Sequence, residues 1–186
     1  MPKIVDHDAR REELLEPCLA LFAARGFHAI SMREIARHLG VTTGTLYHYF
    51  NGKLALFEQM IDRVIKADIE AALVEVPADQ SWPIKLMNLS KYLGGREGRF
   101  VQILHVVLDY KRYEIEEATQ LTDRVITSYL KVISSQLGLE DQKQIDAIFS
   151  LILGVIIYRD LKPSAHSIET QFLALREIGQ LITSNN

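Results

Sequence analysis

The chain has 186 residues, of which 48% are hydrophobic and 24% are charged, and its net charge at pH 7 is −3. This composition is typical of one or two globular domains with a hydrophobic core, and it excludes a disordered chain. The single cysteine, Cys18, excludes an internal disulfide. The first residues lack the apolar segment of a signal peptide, and the longest apolar run, at 147–158, is shorter than the roughly 20 residues that span a bilayer. We therefore expect a cytoplasmic protein.

Helical periodicity dominates the sequence, and strand patterns are nearly absent. The first predicted helix has an apolar stripe formed by Leu14, Cys18, Leu21 and Phe22. Gly26 follows it and predicts its end. Pro17 lies inside the pattern and predicts a kink or a later helix start, because proline removes one backbone hydrogen bond and crowds the preceding turn.

A second short helix is predicted in the stretch SMREIARHLG. Ser31 and Glu34 have the spacing of a capping box, in which each side chain accepts a hydrogen bond from the other residue's free backbone N–H. A Gly-Val turn follows, and Thr42 or Thr43 can cap a third helix that runs to about Tyr49. Two short helices joined by such a turn are typical of a helix-turn-helix.

The third helix has one apolar and one polar face. Leu46 and Phe50 share the inner face, since successive helix residues rotate by roughly 100°. The outer face carries small or polar residues: Gly44, Thr45, Tyr47 and His48. Glycine lets a phosphate backbone come close, and the Tyr and His side chains can hydrogen-bond to phosphate oxygens. Lys53, at the start of the next helix, is placed for a further phosphate contact.

The segment FAARGFHAISMREIARHLGVTTGTLYHYFNGKLALF resembles the DNA-binding domain of the TetR family of bacterial transcription regulators. The resemblance covers about residues 9–60. It rests on the Phe-x-x-x-Gly-Phe end of the first helix, the Gly-Val turn, the Gly-Thr-Leu-Tyr-His-Tyr-Phe third helix and the Lys-x-x-Leu-Phe tail. It implies an all-α homodimer that binds a palindromic operator in double-stranded DNA, with a larger helical domain that dimerises and binds a small effector.

Family positions that contact DNA fall on Met32, Arg33, Thr43, Gly44, Thr45, Tyr47, His48, Tyr49 and Lys53 of this chain. Among them, Arg33 is expected to contact a base, because a guanidinium can pair with guanine in the major groove. Tyr47, Lys53 and the helix-capping Ser31 are expected to bind phosphates.

Six further helices are predicted, which makes about nine in all. Their ranges are 55–75, 83–93, 99–108, 114–137, 141–160 and 167–183, and the GGREG stretch at 94–98 is expected to be a loop. The predicted domains are a three-helix helix-turn-helix DNA-binding domain at 1–53 and a larger helical effector-binding and dimerisation domain at 54–186.

The eighth predicted helix is apolar almost all round from residue 145 to 158, so most of its sides must be buried. Together with the ninth helix it is expected to form the four-helix dimer interface of the family. The residues assigned to this interface are Phe149, Ile152, Leu153, Ile156, Phe172, Leu175 and Ile178. The alternative is a core helix in a monomer.

Polar aromatic residues on otherwise apolar helices are candidates for lining an effector cavity: Tyr92, His105, Tyr113 and Tyr129. Few charges lie on the inner faces of these helices, which favours an apolar or aromatic effector over a highly charged one. The alternative for each residue is a core or rim position whose polar tip is satisfied within the protein.

These features predict a sequence-specific DNA-binding transcriptional regulator. The family resemblance implies a repressor that leaves its operator when an effector moves the fourth helix. The chain lacks a Gly-rich nucleotide loop, a Gly-x-Ser-x-Gly elbow and a His-Glu-x-x-His motif, so no catalytic residue, cofactor or metal is expected. The alternative is a helical small-molecule-binding or protein-interaction protein whose helix-turn-helix no longer regulates DNA.

Overall fold

The computed structural model of the chain describes residues 7–113 and 115–184, apart from the side chains of residues 179–184. Over these residues the fold is all-α, as predicted. The helical segments are α1 His7–Leu15, α2 Cys18–Arg25, α3 Met32–His38, α4 Thr43–Tyr49, α5 Lys53–Glu75, α6 Trp82–Gly94, α7 Glu97–Lys111, α8 Glu116–Leu137, α9 Gln142–Leu161 and α10 Ile168–Ser184. None of the helices in the described ranges is both long and apolar enough to cross a membrane.

The part of the chain that the structure describes has ten helical segments where about nine were predicted, because the first predicted helix is divided at Pro17. α1 ends at Leu15 and α2 begins at Cys18. Proline has no backbone N–H and its ring crowds the carbonyl four residues earlier, so an α-helix cannot run through it undisturbed. The predicted apolar stripe nevertheless continues across the break, and Leu14 and Phe22 on either side of it are buried.

The chain packs as two compact units. The first contains the described residues up to Ala67 together with Gln102–Val125, and the second contains Asp68–Val101 and the described residues from Ile126 onward. α5, α7 and α8 therefore each contribute residues to both units. The predicted division into a DNA-binding domain at 1–53 and an effector domain at 54–186 concerns function and stays a prediction.

The helix-turn-helix of the first unit has the predicted caps. The Ser31 hydroxyl accepts from the Glu34 N–H, and the Glu34 carboxylate accepts from the Ser31 N–H at 2.9 Å, which completes the capping box. Thr42, rather than Thr43, caps α4, because its hydroxyl accepts from the Thr45 N–H at 3.0 Å. These bonds satisfy N–H groups that a helix start otherwise leaves free.

In the second unit, α6 packs against α10, and α10 also packs against α9. Arg159 of α9 donates to Glu97 at the start of α7 at 2.8 Å. The break between α6 and α7 is shorter than predicted, because Gly94 still belongs to α6 and Glu97 already belongs to α7. The expected loop at 94–98 is thus a two-residue link.

Candidate DNA-binding surface

α4 has the predicted division between an apolar and a polar face. Leu46 and Phe50 are fully buried, and they anchor the helix in the first unit. On the other side Gly44, Tyr47 and His48 are exposed, with the Tyr47 side chain 58% accessible. A large aromatic ring left this open contributes nothing to the core, so its hydroxyl is available to an external acceptor such as a phosphate oxygen.

The remaining predicted residues of α4 are less open. Thr43, Thr45 and Tyr49 are half-buried. The Thr45 hydroxyl lies 2.8 Å from that of Thr42, so the two threonines bond to each other beside the helix cap. They therefore hold the start of α4 in place, while Gly44 between them leaves the backbone approachable.

The predicted residues at the start of α3 have three different environments. Arg33 is exposed, and it makes no hydrogen bond or ion pair with the residues that the structure describes. Met32 is only 7% accessible, so its side chain belongs to the core instead of an outer surface. Ser31 is exposed, but its hydroxyl donates to the Glu34 carboxylate at 2.8 Å. Arg33 is thus the side chain of this helix start that is ready for an external partner.

Glu34 keeps its charge through these bonds. The Ser31 N–H, the Ser31 hydroxyl and then the Arg25 guanidinium lower the pKa of the Glu34 carboxyl to about 2. Arg25 donates to the carboxylate at 2.9 Å, and Arg37 lies 4.0 Å away. The positive charges of Arg25 and Arg37 are therefore partly neutralised by Glu34, while the charge of Arg33 is not.

His7, which sequence reasoning did not assign to any site, lies beside the end of α4. Its Nε2 is 3.0 Å from Nε2 of His48, and its ring centroid is 4.6 Å from that of Tyr49. The contact places the start of α1 next to the predicted DNA-facing residues. The two histidines are 41 positions apart, so no local pattern could have predicted their pairing.

Lys53 lies where it was predicted, at the start of α5, but its ammonium is engaged inside the first unit. Nζ donates to the carbonyl of Phe27 at 2.8 Å and to that of Ile30 at 2.9 Å. It also lies 4.4 Å from the centroid of the Phe27 ring. Burial lowers the pKa of the ammonium. These partners belong to the turn that joins α2 to α3.

The same turn is also contacted by α7 and by the residues that directly follow it. The Phe27 N–H donates to the Asp109 carboxylate at 2.9 Å, and the buried Tyr110 ring contacts the Phe27 ring at a centroid distance of 4.9 Å. The exposed Tyr113 ring covers His28 at a centroid distance of 3.5 Å. Asp109 was missed because nothing in its sequence neighbourhood marks it as a partner of a backbone N–H far earlier in the chain.

The four predicted effector-binding residues are divided between the two units. Tyr92 and Tyr129, in the second unit, meet at Asp68: the Tyr92 hydroxyl donates to the Asp68 carbonyl and the Tyr129 hydroxyl to its carboxylate, both at 2.8 Å. His105 and Tyr113 are exposed residues of the first unit. The hydroxyls of Tyr92 and Tyr129 are thus hydrogen-bonded within the protein, which agrees with the alternative that both residues occupy core or rim positions.

Asp68 is the centre of this polar cluster. The residue is 3% accessible, and burial raises the pKa of its carboxyl in spite of the Arg99 guanidinium beside it. Arg99 Nε donates to the carboxylate at 2.5 Å. Burial likewise raises the pKa of both Tyr92 and Tyr129, so their hydroxyls stay protonated donors.

The predicted dimer residues fall into three groups: buried, open and half-buried. Ile152, Ile156 and Phe172 are buried within the single chain, so their side chains form core. Leu175 and Ile178 line an open apolar groove, with Ile178 52% accessible. The groove is bounded by Ser150, Leu151, Gly154, Val155, Tyr158, Gln171, Ala174, Leu175 and Ile178. Phe149 and Leu153 are half-buried. The open face of α9 is therefore displaced around the helix from the face that the sequence indicated.

Residues 14–60 match the bacterial regulatory proteins of the tetR family. The HTH-type transcriptional regulator BetI of Vibrio campbellii is 28% identical over 174 residues, which cover 88% of this chain and 86% of that protein. The HTH-type transcriptional repressor KstR2 of Mycobacterium tuberculosis is 40% identical over 63 residues, which cover 34% of this chain and 30% of KstR2.

A solved structure extends the likeness to the whole fold. The regulator FadR of Bacillus subtilis, in complex with stearoyl-CoA, superposes with a TM-score of 0.74 at 18% identity, over 90% of this chain and 96% of that chain. These relatives are transcriptional regulators and not enzymes. From the helix-turn-helix, the matched segment and the relatives together, residues 14–60 form a DNA-binding domain of the tetR family of bacterial regulatory proteins, and the chain is a transcriptional regulator similar along most of its length to BetI.

Proposed function

We propose that the chain is a repressor that binds a palindromic operator as a homodimer and leaves it when a small effector binds. The observation that carries the proposal is the outer face of α4, where Gly44, Tyr47 and His48 are exposed on a helix anchored by Leu46 and Phe50. A helix of this kind fits the major groove, with its backbone close to phosphates.

Base recognition is assigned to Arg33. Its guanidinium is exposed and makes no bond with the described residues, in contrast to Arg25, which is paired with Glu34. An unpaired guanidinium can form the bidentate contact to guanine without first breaking an internal ion pair. Tyr47 and His48 are assigned to phosphates, which fix the position of the helix without reading sequence.

The groove between α9 and α10 is assigned to the second copy of the chain. Its lining is apolar, and Leu175 and Ile178 are left open in the single chain. Gly154 lies in the same groove, and a Cβ added to it would meet nothing within 4 Å, so a partner helix can approach the backbone there. A two-fold dimer gives two α4 helices, as a palindromic operator requires.

An apolar or aromatic effector is assigned to the second unit. Support comes from the stearoyl-CoA held by FadR, a protein with the same fold, and from the Tyr92 and Tyr129 side chains that the sequence indicated. Both contact Asp68, which is a residue of α5, and α5 begins at Lys53 directly after the helix-turn-helix. An effector that rearranges the Asp68 cluster would therefore move the helix that leads to the DNA-binding module.

The test is selection of genomic fragments by the purified chain, followed by binding measurements across salt concentrations. We expect a palindromic site and a steep salt dependence, because Lys and Arg contacts release counterions from DNA. Arg33→Ala should weaken operator binding by about 5- to 100-fold and relax the preference at one base pair. Arg176→Ala, an exposed arginine of α10, is the control. A folded dimer that enriches no sequence, with and without added ligands, would refute operator binding and favour the protein-interaction alternative.

The effector assignment is tested by thermal unfolding with stearoyl-CoA, free coenzyme A and a panel of apolar and aromatic compounds. A ligand that binds only the folded chain raises its Tm. Stabilisation by the acyl thioester but not by free coenzyme A would support an apolar effector, and release of operator DNA by the same compound would support derepression. No stabilisation by any compound of the panel would count against the assignment.

A further inference from the structure

His7 of α1 meets the last turn of α4 in a cluster of three rings. Its ring centroid lies 5.0 Å from that of His48 and 4.6 Å from that of Tyr49. The centroids of the His48 and Tyr49 rings are 5.1 Å apart. Rings at these separations are in contact. α1 therefore touches the helix whose outer face is assigned to DNA, at one of the residues assigned to a phosphate.

The hydrogen bond inside this cluster constrains the His48 imidazole. Nε2 of His7 lies 3.0 Å from Nε2 of His48, and both residues are exposed. A neutral imidazole carries its proton on one nitrogen, so one Nε2 donates and the other accepts. In either tautomer the Nε2 of His48 is occupied by His7. Its Nδ1 makes no hydrogen bond with the residues that the structure describes, and is the nitrogen left for an external partner.

A phosphate partner selects between the two tautomers of His48. Phosphate oxygens accept hydrogen bonds, so a neutral His48 must carry its proton on Nδ1 to bind one. Its unprotonated Nε2 then accepts from His7, which must donate from its own Nε2. In the opposite arrangement His48 donates to His7, and its Nδ1 presents a lone pair that repels the phosphate.

We propose that His7 is a positioning residue, which holds His48 as the Nδ1–H tautomer that donates to a DNA phosphate. This role rests on the DNA-binding function proposed above, and it acts through His48 instead of through a contact of His7 with DNA. It differs from a purely structural role because it predicts a defined proton position on His48. It also predicts rescue by a side chain that donates from the place of the His7 Nε2.

The first experiment reads the proton positions by NMR of protein that carries nitrogen-isotope-labelled histidine, since protonated and unprotonated ring nitrogens give distinct signals. Spectra are recorded at about pH 8, where neutral imidazoles prevail, with EDTA present to exclude a bridging metal. The His7 and His48 signals are assigned from those that each single variant removes. In the operator complex we expect His48 protonated at Nδ1 alone and His7 at Nε2. A His48 ring protonated at Nε2 alone, or at both nitrogens, would overturn the proposal.

The second experiment compares His7→Gln, His7→Asn and His7→Phe. A glutamine amide can donate from about the place of Nε2, an asparagine amide reaches only the place of Nδ1, and phenylalanine keeps the ring without a donor. We expect His7→Asn and His7→Phe to lower affinity by about 3- to 10-fold, the effect of one lost phosphate hydrogen bond, and His7→Gln to restore most of it. Operator and unrelated DNA should lose equally, because a phosphate contact carries no sequence information. His166→Phe, at an exposed histidine of the second unit, is the control and should leave affinity unchanged.

A double-mutant cycle with His48→Phe separates the alternatives. The positioning role predicts that His7→Phe causes no further loss of affinity in the His48→Phe background. A direct contact of His7 with DNA predicts that the loss persists there. A purely structural role predicts that affinity follows the Tm of each variant, with no rescue specific to His7→Gln. Either of these two results would refute the positioning role and leave operator binding intact. Failure of the parent chain to bind any DNA would instead refute the DNA-binding function, and the positioning role with it.

Discussion

Gly26→Ala tests the contact between the α2–α3 turn and α7. Gly26 has φ of +77° and ψ of 154°, a conformation that is essentially restricted to glycine. A Cβ at this position would also lie 2.9 Å from Asp109 Oδ2, the atom that accepts the Phe27 N–H. The substitution therefore combines backbone strain with displacement of a charged hydrogen-bond acceptor.

The magnitude follows from these two effects. Backbone strain of this kind costs about 1–3 kcal/mol, and a hydrogen bond to a charged group is worth about 1.5–3 kcal/mol. Asp109 is only half-buried and can shift, and alanine restricts the unfolded chain by roughly 0.4–1 kcal/mol. We expect a loss of about 2–5 kcal/mol in the free energy of unfolding, measured by urea unfolding at fixed protein concentration. In a chain of this size each kcal/mol lowers the Tm by about 2–4 °C.

Gly40→Ala is the matched control, because Gly40 also has a positive φ, +67°, but a Cβ there meets nothing within 4 Å. Backbone strain in Gly40→Ala should lower the free energy of unfolding by only about 1–2 kcal/mol. In an Asp109→Ala background the added penalty of Gly26→Ala should shrink, since the displaced acceptor is gone. Equal losses for the two glycine variants, or an unchanged penalty without Asp109, would refute the contribution of this contact.

Three further substitutions address the DNA face, the α3 cap and the polar cluster. Tyr47→Phe should weaken all DNA binding by about 3- to 10-fold without lowering the Tm, as expected for one lost phosphate hydrogen bond; a lower Tm would show a core role. The pKa of Glu34, about 2 when folded, lies below its unfolded value of roughly 4.3. Its stabilisation is therefore present above that value and is lost as the pH falls toward 2. Glu34→Gln should flatten this part of the urea-unfolding profile between pH 5 and 3, and an unchanged profile would contradict it. Asp68→Ala should lower the free energy of unfolding by about 2–4 kcal/mol, because Arg99 and Tyr129 lose their acceptor. This value is reduced from that of a fully buried pair, since the Arg99 side chain is 33% accessible. A decrease below about 1 kcal/mol in urea unfolding would refute the prediction.

Features that depend on neighbouring residues could be predicted from the sequence. The Ser31–Glu34 capping box, a disturbance of the first helix at Pro17 and the outward direction of Tyr47 all follow from residue type and from spacing within one or two helical turns. Such features depend on local geometry that every α-helix shares. The sequence also contained the family segment, which is why the fold class could be predicted before any packing was known.

Features that depend on packing between distant helices could not be predicted in the same way. α9 is apolar nearly all round. Its sequence therefore lacks the alternation of polar and apolar residues that would distinguish a face buried within the chain from a face left open. The sequence therefore assigned Ile152 and Ile156 to a partner, although the chain buries them itself. Likewise Tyr92 and Tyr129 were separate candidates, because nothing in either segment indicated that both reach Asp68.

The α2–α3 turn shows why a backbone site escapes sequence reasoning and still has consequences for function. Phe27 looks like an ordinary core residue, and its ring is indeed buried. Its N–H, however, donates to the Asp109 carboxylate of α7, and its carbonyl accepts from the Lys53 ammonium of α5. Two side chains of opposite charge therefore hydrogen-bond to successive peptide groups. Neither charge lies within the helix-turn-helix, yet both bind the turn that leads into α3. A displacement of α7 at Asp109 should for this reason alter the position of Arg33, and hence operator affinity, without any change to the residues that contact DNA.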